Sequence, residues 1–289
     1  MKISDFKIKN SQKIFELREH EIEQNDRVPL LHFDKLDDTG IVKHCFTTRG
    51  GGVSKDIFSS MNLSFNRGDE KSAVETNYQR LAMALDTTVD RFVTTDQTHT
   101  TNVIRVGNEE AGIGVVRPRP YTDVDGLVTN EKNVVLSTFF ADCVPLFFVD
   151  TKNHAIGLSL SGWKGTVNRM GQKTLEVMKR EFGTNPADVV AAIGPSICQD
   201  CYEISEDVAE KFKEQFPSHV NEILIDKKNG HYQLDLWRTN QIIMIEAGIL
   251  EKNIAVTNIC TCCNDSLLFS HRASHGKRGN LGAFMYLVD

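Results

Sequence analysis

Asp142 and Cys143 stand side by side between two strongly apolar runs, VVLSTFF at 134–140 and VPLFFVD at 144–150. The runs are too apolar to be half exposed, so they read as central strands of a sheet covered on both faces. An acid beside a thiol in such a place needs a partner or a task. Just downstream, Gly162-Trp163-Lys164-Gly165 opens a helix. A strand, a glycine-bracketed turn and a helix in that order aim backbone N–H groups and the positive end of a helix at one spot, which makes Lys164 and its turn an anion-site candidate. The spacing is that of neither a Walker loop nor a dinucleotide fingerprint. A second candidate is Arg49-Gly50-Gly51-Gly52. Glycines such as Gly51 let N–H groups approach an anion, and the Arg49 fork suits phosphate or carboxylate. A third is the loop at 271–278, where His271, Arg272, His275, Lys277 and Arg278 supply five potential cations, either an anion clamp or a solvated loop. His99, in the stretch QTHTT, is by itself an ordinary solvated or core histidine.

The seven cysteines are unevenly placed: Cys45 and Cys143 stand alone, Cys198 and Cys201 form C-x-x-C, and Cys260, Cys262 and Cys263 form C-x-C-C. A four-thiolate zinc site drawn from the last two groups is conceivable. Paired zinc knuckles, however, normally lie about 15 to 20 residues apart, and these are separated by almost sixty. The spacing therefore points to separate buried or surface thiols, reduced rather than bridged in a chain with no export signal.

Several elements must position these residues. Val74, Tyr78, Leu81 and Leu85 recur at helical spacing after a Ser72/Glu75 capping box. Residues 166–182 carry the stripe Val167, Met170, Leu175, Met178 and Phe182 and end at Gly183, one continuous helix. Two more helices fall at 205–216 and 235–247, and TDVDGLVTN is a turn that Asp123 and Asp125 shape. The strands do not alternate regularly with helices, so the expected class is α+β: a single compact domain over residues 1–289, with mixed β-sheets flanked by helices and residues 1–40 as an N-terminal extension packed on it. The net charge of −6, from 33 basic and 39 acidic residues, argues against non-specific attraction to nucleic acid. No apolar run reaches the roughly 18 residues of a membrane span, and the N-terminus does not read as a secretory leader. These features describe a cytoplasmic protein with neither nucleic-acid nor membrane partners.

Taken in order, FTTRGGGVS, QTH, DGLVT, ADCVPLFFVD, SGWKGT, IGPSI, CYEI and CT…FSHR, spread from residue 46 to residue 272, resemble the YfiH/YlmD/laccase-domain-containing family across nearly the whole chain. The resemblance implies a purine nucleoside enzyme that phosphorolyses adenosine, inosine and methylthioadenosine and deaminates adenosine, with a small-molecule nucleoside and phosphate as its partners. Older naming in the family implies a polyphenol oxidase or multicopper laccase, and a bacterial branch is tied to peptidoglycan editing. The family's metal centre is a His–Cys–His set whose first two members fall on His99 and Cys143. The third falls on Leu160, which has no lone pair. Zinc binding is therefore expected to be weak or lost, since a catalytic zinc keeps three protein ligands. Either His44, His154 or His271 completes the set, or Leu160 is an introduced replacement for a histidine. Copper is the alternative metal, although multicopper oxidation calls for many histidines and only nine are present. Under the family chemistry, Arg49, Gly51, Lys164, His271 and Arg272 would hold phosphate or substrate, and Cys143, His99 and Arg49 would be catalytic. Without metal, Cys143 and His99 form a nucleophile and base for a cysteine hydrolase or amidase. Deamination, which needs a metal-activated water, should suffer from Leu160 more than phosphorolysis does.

Overall fold

The two apolar runs that flank Asp142 and Cys143 become strands of two different sheets, Val135–Phe140 in one and Val144–Asp150 in the other. The computed structural model describes residues 1–24 and 26–288. In the first six-stranded sheet the strands lie in the order Phe15–Glu23, Asp26–Phe33, Val42–Thr47, Leu281–Leu287, Val135–Phe140 and Phe92–Thr94. Its neighbours are antiparallel except the last pair. The second runs Ile254–Val256, Val189–Ile193, Val144–Asp150, Ala155–Ser161, Gly126–Thr129 and Val103–Arg105, with a parallel pair at each edge and antiparallel pairs between. A small third sheet joins Glu203–Ser205, His231–Leu234 and Leu224–Asp226. This is the single α+β unit of mixed sheets that the sequence led us to expect.

Side-chain alternation builds four layers. Phe147 and Val149 point into a core shared with Leu31, Phe33, Phe46, Leu136 and Met285 of the first sheet. Leu146 and Phe148 point the other way, against Leu175 and Met178 of the helix Met170–Phe182 and Ile243 of the helix Leu236–Glu246. On the far side, Leu30, Cys45, Val135 and Phe284 meet Val74, Tyr78 and Leu81 of the helix Lys71–Ala84. Both central strands are thus buried on both faces, which is why they read as nearly unbroken apolar text. Phe147, fully buried with its ring centroid 5.3 Å from that of Phe33, ties the two sheets together; truncating such a ring to alanine costs about 3–5 kcal/mol.

Two local expectations are corrected. The helix at Lys71–Ala84 has Glu70 at its N-cap, so Ser72 lies inside the first turn, and no side chain caps this helix at its start. The stretch 166–182 is two helices, Trp163–Val167 and Met170–Phe182, because Arg169 adopts a left-handed conformation with φ 63° and ψ 46°. That conformation costs an arginine about 1–2 kcal/mol. It is offset by bonds from Arg169 to Gln172 Oε1 at 2.7 Å and Glu246 Oε2 at 2.5 Å, with the guanidinium 5.5 Å over the Phe216 ring. Gly183 does end the second helix, at φ 73°. No helix among the described residues is long and apolar enough to cross a membrane.

Candidate functional site

Three of the segments that pass from one sheet to the other converge on a single cavity. Residues 95–102 join Phe92–Thr94 to Val103–Arg105 and carry His99; residues 141–143 join the two central strands and carry Cys143; residues 257–280 join Ile254–Val256 to Leu281–Leu287 and carry the basic loop. The cavity has two adjoining lobes that share His99, Asp142, Cys143, Ile197 and Tyr202. One, of about 310 Å³, adds Gly162, Trp163, Lys164 and Leu236 and is largely apolar and aromatic. The other, of about 440 Å³, adds Arg67, His271, Arg272 and Arg278.

His99 is held in the left-handed region at φ 68°, a conformation that a non-glycine residue keeps only when its surroundings impose it. Asp125, fully buried, imposes it. One oxygen of its carboxylate accepts from Thr98 N at 3.2 Å, Thr100 N at 2.9 Å and Thr100 Oγ1 at 3.0 Å, the other from His99 N at 3.0 Å. Its own carbonyl accepts from Leu160 N at 2.8 Å. Gln97 fastens the same turn to the neighbouring strand: its amide donates to Phe139 O and accepts from Phe139 N, each at 2.9 Å. The Gln of the QTH motif therefore extends the sheet edge by one side chain, in the manner of a ladder residue.

Asp142, at φ 88°, is committed elsewhere: its carboxylate accepts from Thr261 Oγ1 at 2.6 Å and from Arg272 N at 2.7 Å, joining the long third crossover to the short one. Cys143 and His99 meet at Gly162, where an added methyl group would lie 3.1 Å from both Cys143 Sγ and His99 Cδ2. A side chain at this position would have to push one of the two aside by a few tenths of an ångström. Burial, helped by the carboxylates of Asp142 and Asp125, pushes the Cys143 thiol up to about 12. A metal-free thiol in that state is protonated at neutral pH, the opposite of the lowered value an activated cysteine nucleophile needs.

The anion candidates fare differently. Arg278, 8% exposed, lines the larger lobe with no hydrogen-bond partner at its Nε, and burial together with Arg67 pulls its pKa down to about 10. A buried guanidinium with a spare donor beside a cavity is chemically suited to an anion. Arg67 lies in NRGDE, where nothing in the sequence singled it out. His271 and Arg272 line the same lobe, although the Arg272 guanidinium donates to Cys201 O and Glu203 O and stacks 5.4 Å from the Tyr202 ring. Lys164 borders the apolar lobe, 5.8 Å over the Trp163 ring. Arg49 and Gly51 are not brought to the cavity. The Arg49 guanidinium donates to Ser59 O at 2.9 Å and Asp265 O at 2.7 Å and covers the Phe269 ring at 4.7 Å, in a separate surface hollow. Gly51 packs on Val28 and Arg27 and accepts from Arg80 Nε at 2.6 Å. Their glycine-rich loop serves to anchor neighbouring loops.

The stacked mixed sheets with a His/Cys cavity at their crossovers define a protein class that comparison makes specific. The family described as multi-copper polyphenol oxidoreductase laccase matches residues 43–288, and the chain belongs to it. Among similar proteins, the purine nucleoside phosphorylase YlmD of Bacillus subtilis is 36% identical over 248 residues, 84% of this chain and 88% of the relative. An adenosine deaminase from an unknown prokaryotic organism is 32% identical over 228 residues, 78% of this chain and 86% of the relative. The crystal structure of YlmD from Geobacillus stearothermophilus superposes with a TM-score of 0.86 at 30% identity, covering 96% of this chain and all of that one.

The His–Cys–His metal set that the family resemblance led us to expect is not completed in this chain. His99 and Cys143 converge, but Leu160, 3% exposed, lines the same lobe with a hydrocarbon side chain at the third position. Of the histidines considered as substitutes, His271 reaches the cavity. His44 instead accepts from Phe33 N at 2.8 Å within the first sheet, and His154 sits in the turn at the far end of the hairpin 144–161. Two groups of three or more His, Cys, Asp or Glu close enough to hold an ion occur among the described residues, and neither contains His99 or Cys143. A three-ligand ion at His99 and Cys143 does not fit this arrangement.

Proposed function

We propose that the protein is a purine nucleoside phosphorylase whose adenosine deaminase side activity is curtailed. The observation that carries this reading is the two-lobed cavity, apolar and aromatic on one side and cationic on the other, with His99 and Cys143 at the waist. A nucleoside with phosphate has the same polarity. The base suits Trp163, Tyr202, Ile197 and Leu236, and the phosphate dianion suits Arg278, Arg67 and His271. In the reaction a phosphate oxygen bonds to C1′ of the ribose as the C1′–N9 bond breaks. The electron pair passes to the purine, which leaves as the free base once a proton is supplied at its imidazole ring. In this reading His99, which lines both lobes, supplies that proton, and the cationic lobe holds the nucleophile beneath the sugar. The relatives named purine nucleoside phosphorylase and adenosine deaminase support both the substrate class and the pairing of the two activities. Deamination adds water at C6, a step that calls for a strongly activated hydroxide, and the donor set at Leu160 is short by one.

The test is to incubate the protein with adenosine and inorganic phosphate and to separate the products. Adenine and ribose 1-phosphate should appear in equal amounts, only when phosphate is present, with inosine a minor product. Inosine as the main product would overturn the assignment, and so would adenine release that ignores phosphate.

A further inference from the structure

The two C-x-x-C pairs that the linear spacing kept apart are one cluster in space. We propose that Cys198, Cys201, Cys260 and Cys263 are the four ligands of a structural zinc ion behind the wall of the substrate cavity. Their four Sγ atoms all lie within 4.8 Å of one another. Thiolates at the corners of a tetrahedron around zinc, with Zn–S about 2.3 Å, stand about 3.8 Å apart. The Cys201 and Cys263 sulfurs are 3.5 Å apart, too far for a disulfide and close to that edge. A cluster of several irons would hold its thiolates farther apart, so a single tetrahedral ion is the better match, and zinc is the ion that closed four-cysteine structural sites hold.

The fold explains how residues almost sixty positions apart come to form the set. Val189–Ile193 and Ile254–Val256 are adjacent parallel strands, and the chain leaves both at the same end. The ladder continues past them, with Thr257 N donating to Ile193 O and Thr261 N to Ser196 O, until each strand delivers one Cys-x-x-Cys turn. Within these turns Cys260 Sγ accepts from Cys198 N at 3.3 Å and Cys263 N at 3.4 Å, the N–H···S bonds that stabilise a thiolate. Cys198 and Cys260 are buried while Cys201 and Cys263 are half-buried, which leaves one side open for the ion to enter. Lys9 and Asp200 form an ion pair at 2.8 Å beside the first Cys-x-x-Cys turn.

The ion has no place in the chemistry; its effect is on position. Ile197 and Tyr202, which flank the first turn, line both lobes of the cavity. Thr261, inside the second turn, bonds Asp142, and Arg272 donates to Cys201 O. Joining the two turns through one ion fixes the wall facing His99.

The experiment uses the full-length protein purified under reducing conditions without added metal. Elemental analysis should find about one zinc per chain, retained in Cys143→Ala and in Cys262→Ser. Each of Cys198→Ser, Cys201→Ser, Cys260→Ser and Cys263→Ser should retain zinc at least about tenfold less well. Exchange of the wild-type metal for Co²⁺ should give the thiolate charge-transfer and visible bands of a tetrahedral tetrathiolate, which needs no variant to fold. Stripping the ion with a chelator should raise amide exchange in 196–205 and 258–264 before it rises in the strands of the second sheet. Protein that contains no zinc and takes up no Co²⁺ would overturn the proposal, as would four cysteines recovered as two disulfides, or a metal lost on changing Cys143 and kept in the four serine variants.

Discussion

Replacing Asp125 by asparagine swaps one carboxylate oxygen for an NH₂ and should unseat His99. In the native turn the two oxygens accept from four donors, three on one side and the His99 N–H on the other. The asparagine oxygen can keep the side with three donors. Its NH₂ then faces the His99 N–H, which is left without an acceptor at a cost of about 1–3 kcal/mol, and the other bonds lose their charge assistance. The left-handed backbone at His99, about 1–2 kcal/mol above the right-handed alternative, loses what imposed it. Together these suggest about 3 kcal/mol of lost stability. For a chain of 289 residues that corresponds to a fall of about 5 °C in Tm. Urea unfolding at pH 7 and calorimetry measure the first effect, and kcat for phosphorolysis measures the second, which should fall at least about tenfold as the imidazole wanders. Asp123→Asn, whose carboxylate binds only the side chains of Thr98 and Asn102, serves as the comparison and should cost less than about 1 kcal/mol. Unchanged Tm and unchanged kcat in Asp125→Asn would refute the account of how His99 is held.

Leu160→His should supply the missing donor beside His99 and Cys143, raise bound metal by about one equivalent and increase inosine formation from adenosine; metal content and product ratio that stay put would disprove that role for Leu160. Arg278→Gln, which keeps a hydrogen-bond donor but removes the charge, should raise the KM for phosphate about 10- to 100-fold with a smaller change in the KM for nucleoside, as read from initial rates. Burial holds His32 and His44 neutral, pushing their pKa values down to about 2 and about 3. The unfolded chain takes up protons near pH 6.5 that the fold refuses, so their contribution to stability is complete above about pH 6.5. It falls as pH drops from there towards the folded values, at about 1.4 kcal/mol per pH unit for each histidine. Urea midpoints between pH 7 and pH 5 should therefore decline, and His44→Gln, able to accept from Phe33 N in the same way, should flatten that slope; identical slopes would count against it.

Much of the fold is written in apolar text. Runs such as VVLSTFF and VPLFFVD had to be buried on both faces, and they are, because each alternate side chain serves a different core. What escaped was backbone handedness and long-range pairing. Nothing in side-chain periodicity signals the left-handed turn at Arg169 that splits a helix, since arginine is a good helix former and the constraint comes from Glu246 and Phe216. Two of the anion candidates lie away from the cavity: Gly51 packs against Val28, and Arg49 satisfies loop carbonyls. Arg67 carried no signal, because its value depends on the neighbour Arg278 contributed from the opposite end of the chain. The cysteines misled for a topological reason. A rule built on knuckles close in sequence has no term for two parallel strands delivering their ends to one place.

His99, Cys143 and the cationic loop all ride on straps that bridge the two stacked layers, and this sets a rim that carries the candidate site against an opposite rim that does not. The hairpin turn at 151–154 lies on that opposite rim, seven paired residues away from Cys143 along the ladder. Peptide tags or fluorescent reporters inserted there should leave turnover intact, whereas repacking near Phe147, remote from any ligand, should alter it by shifting one layer against its neighbour.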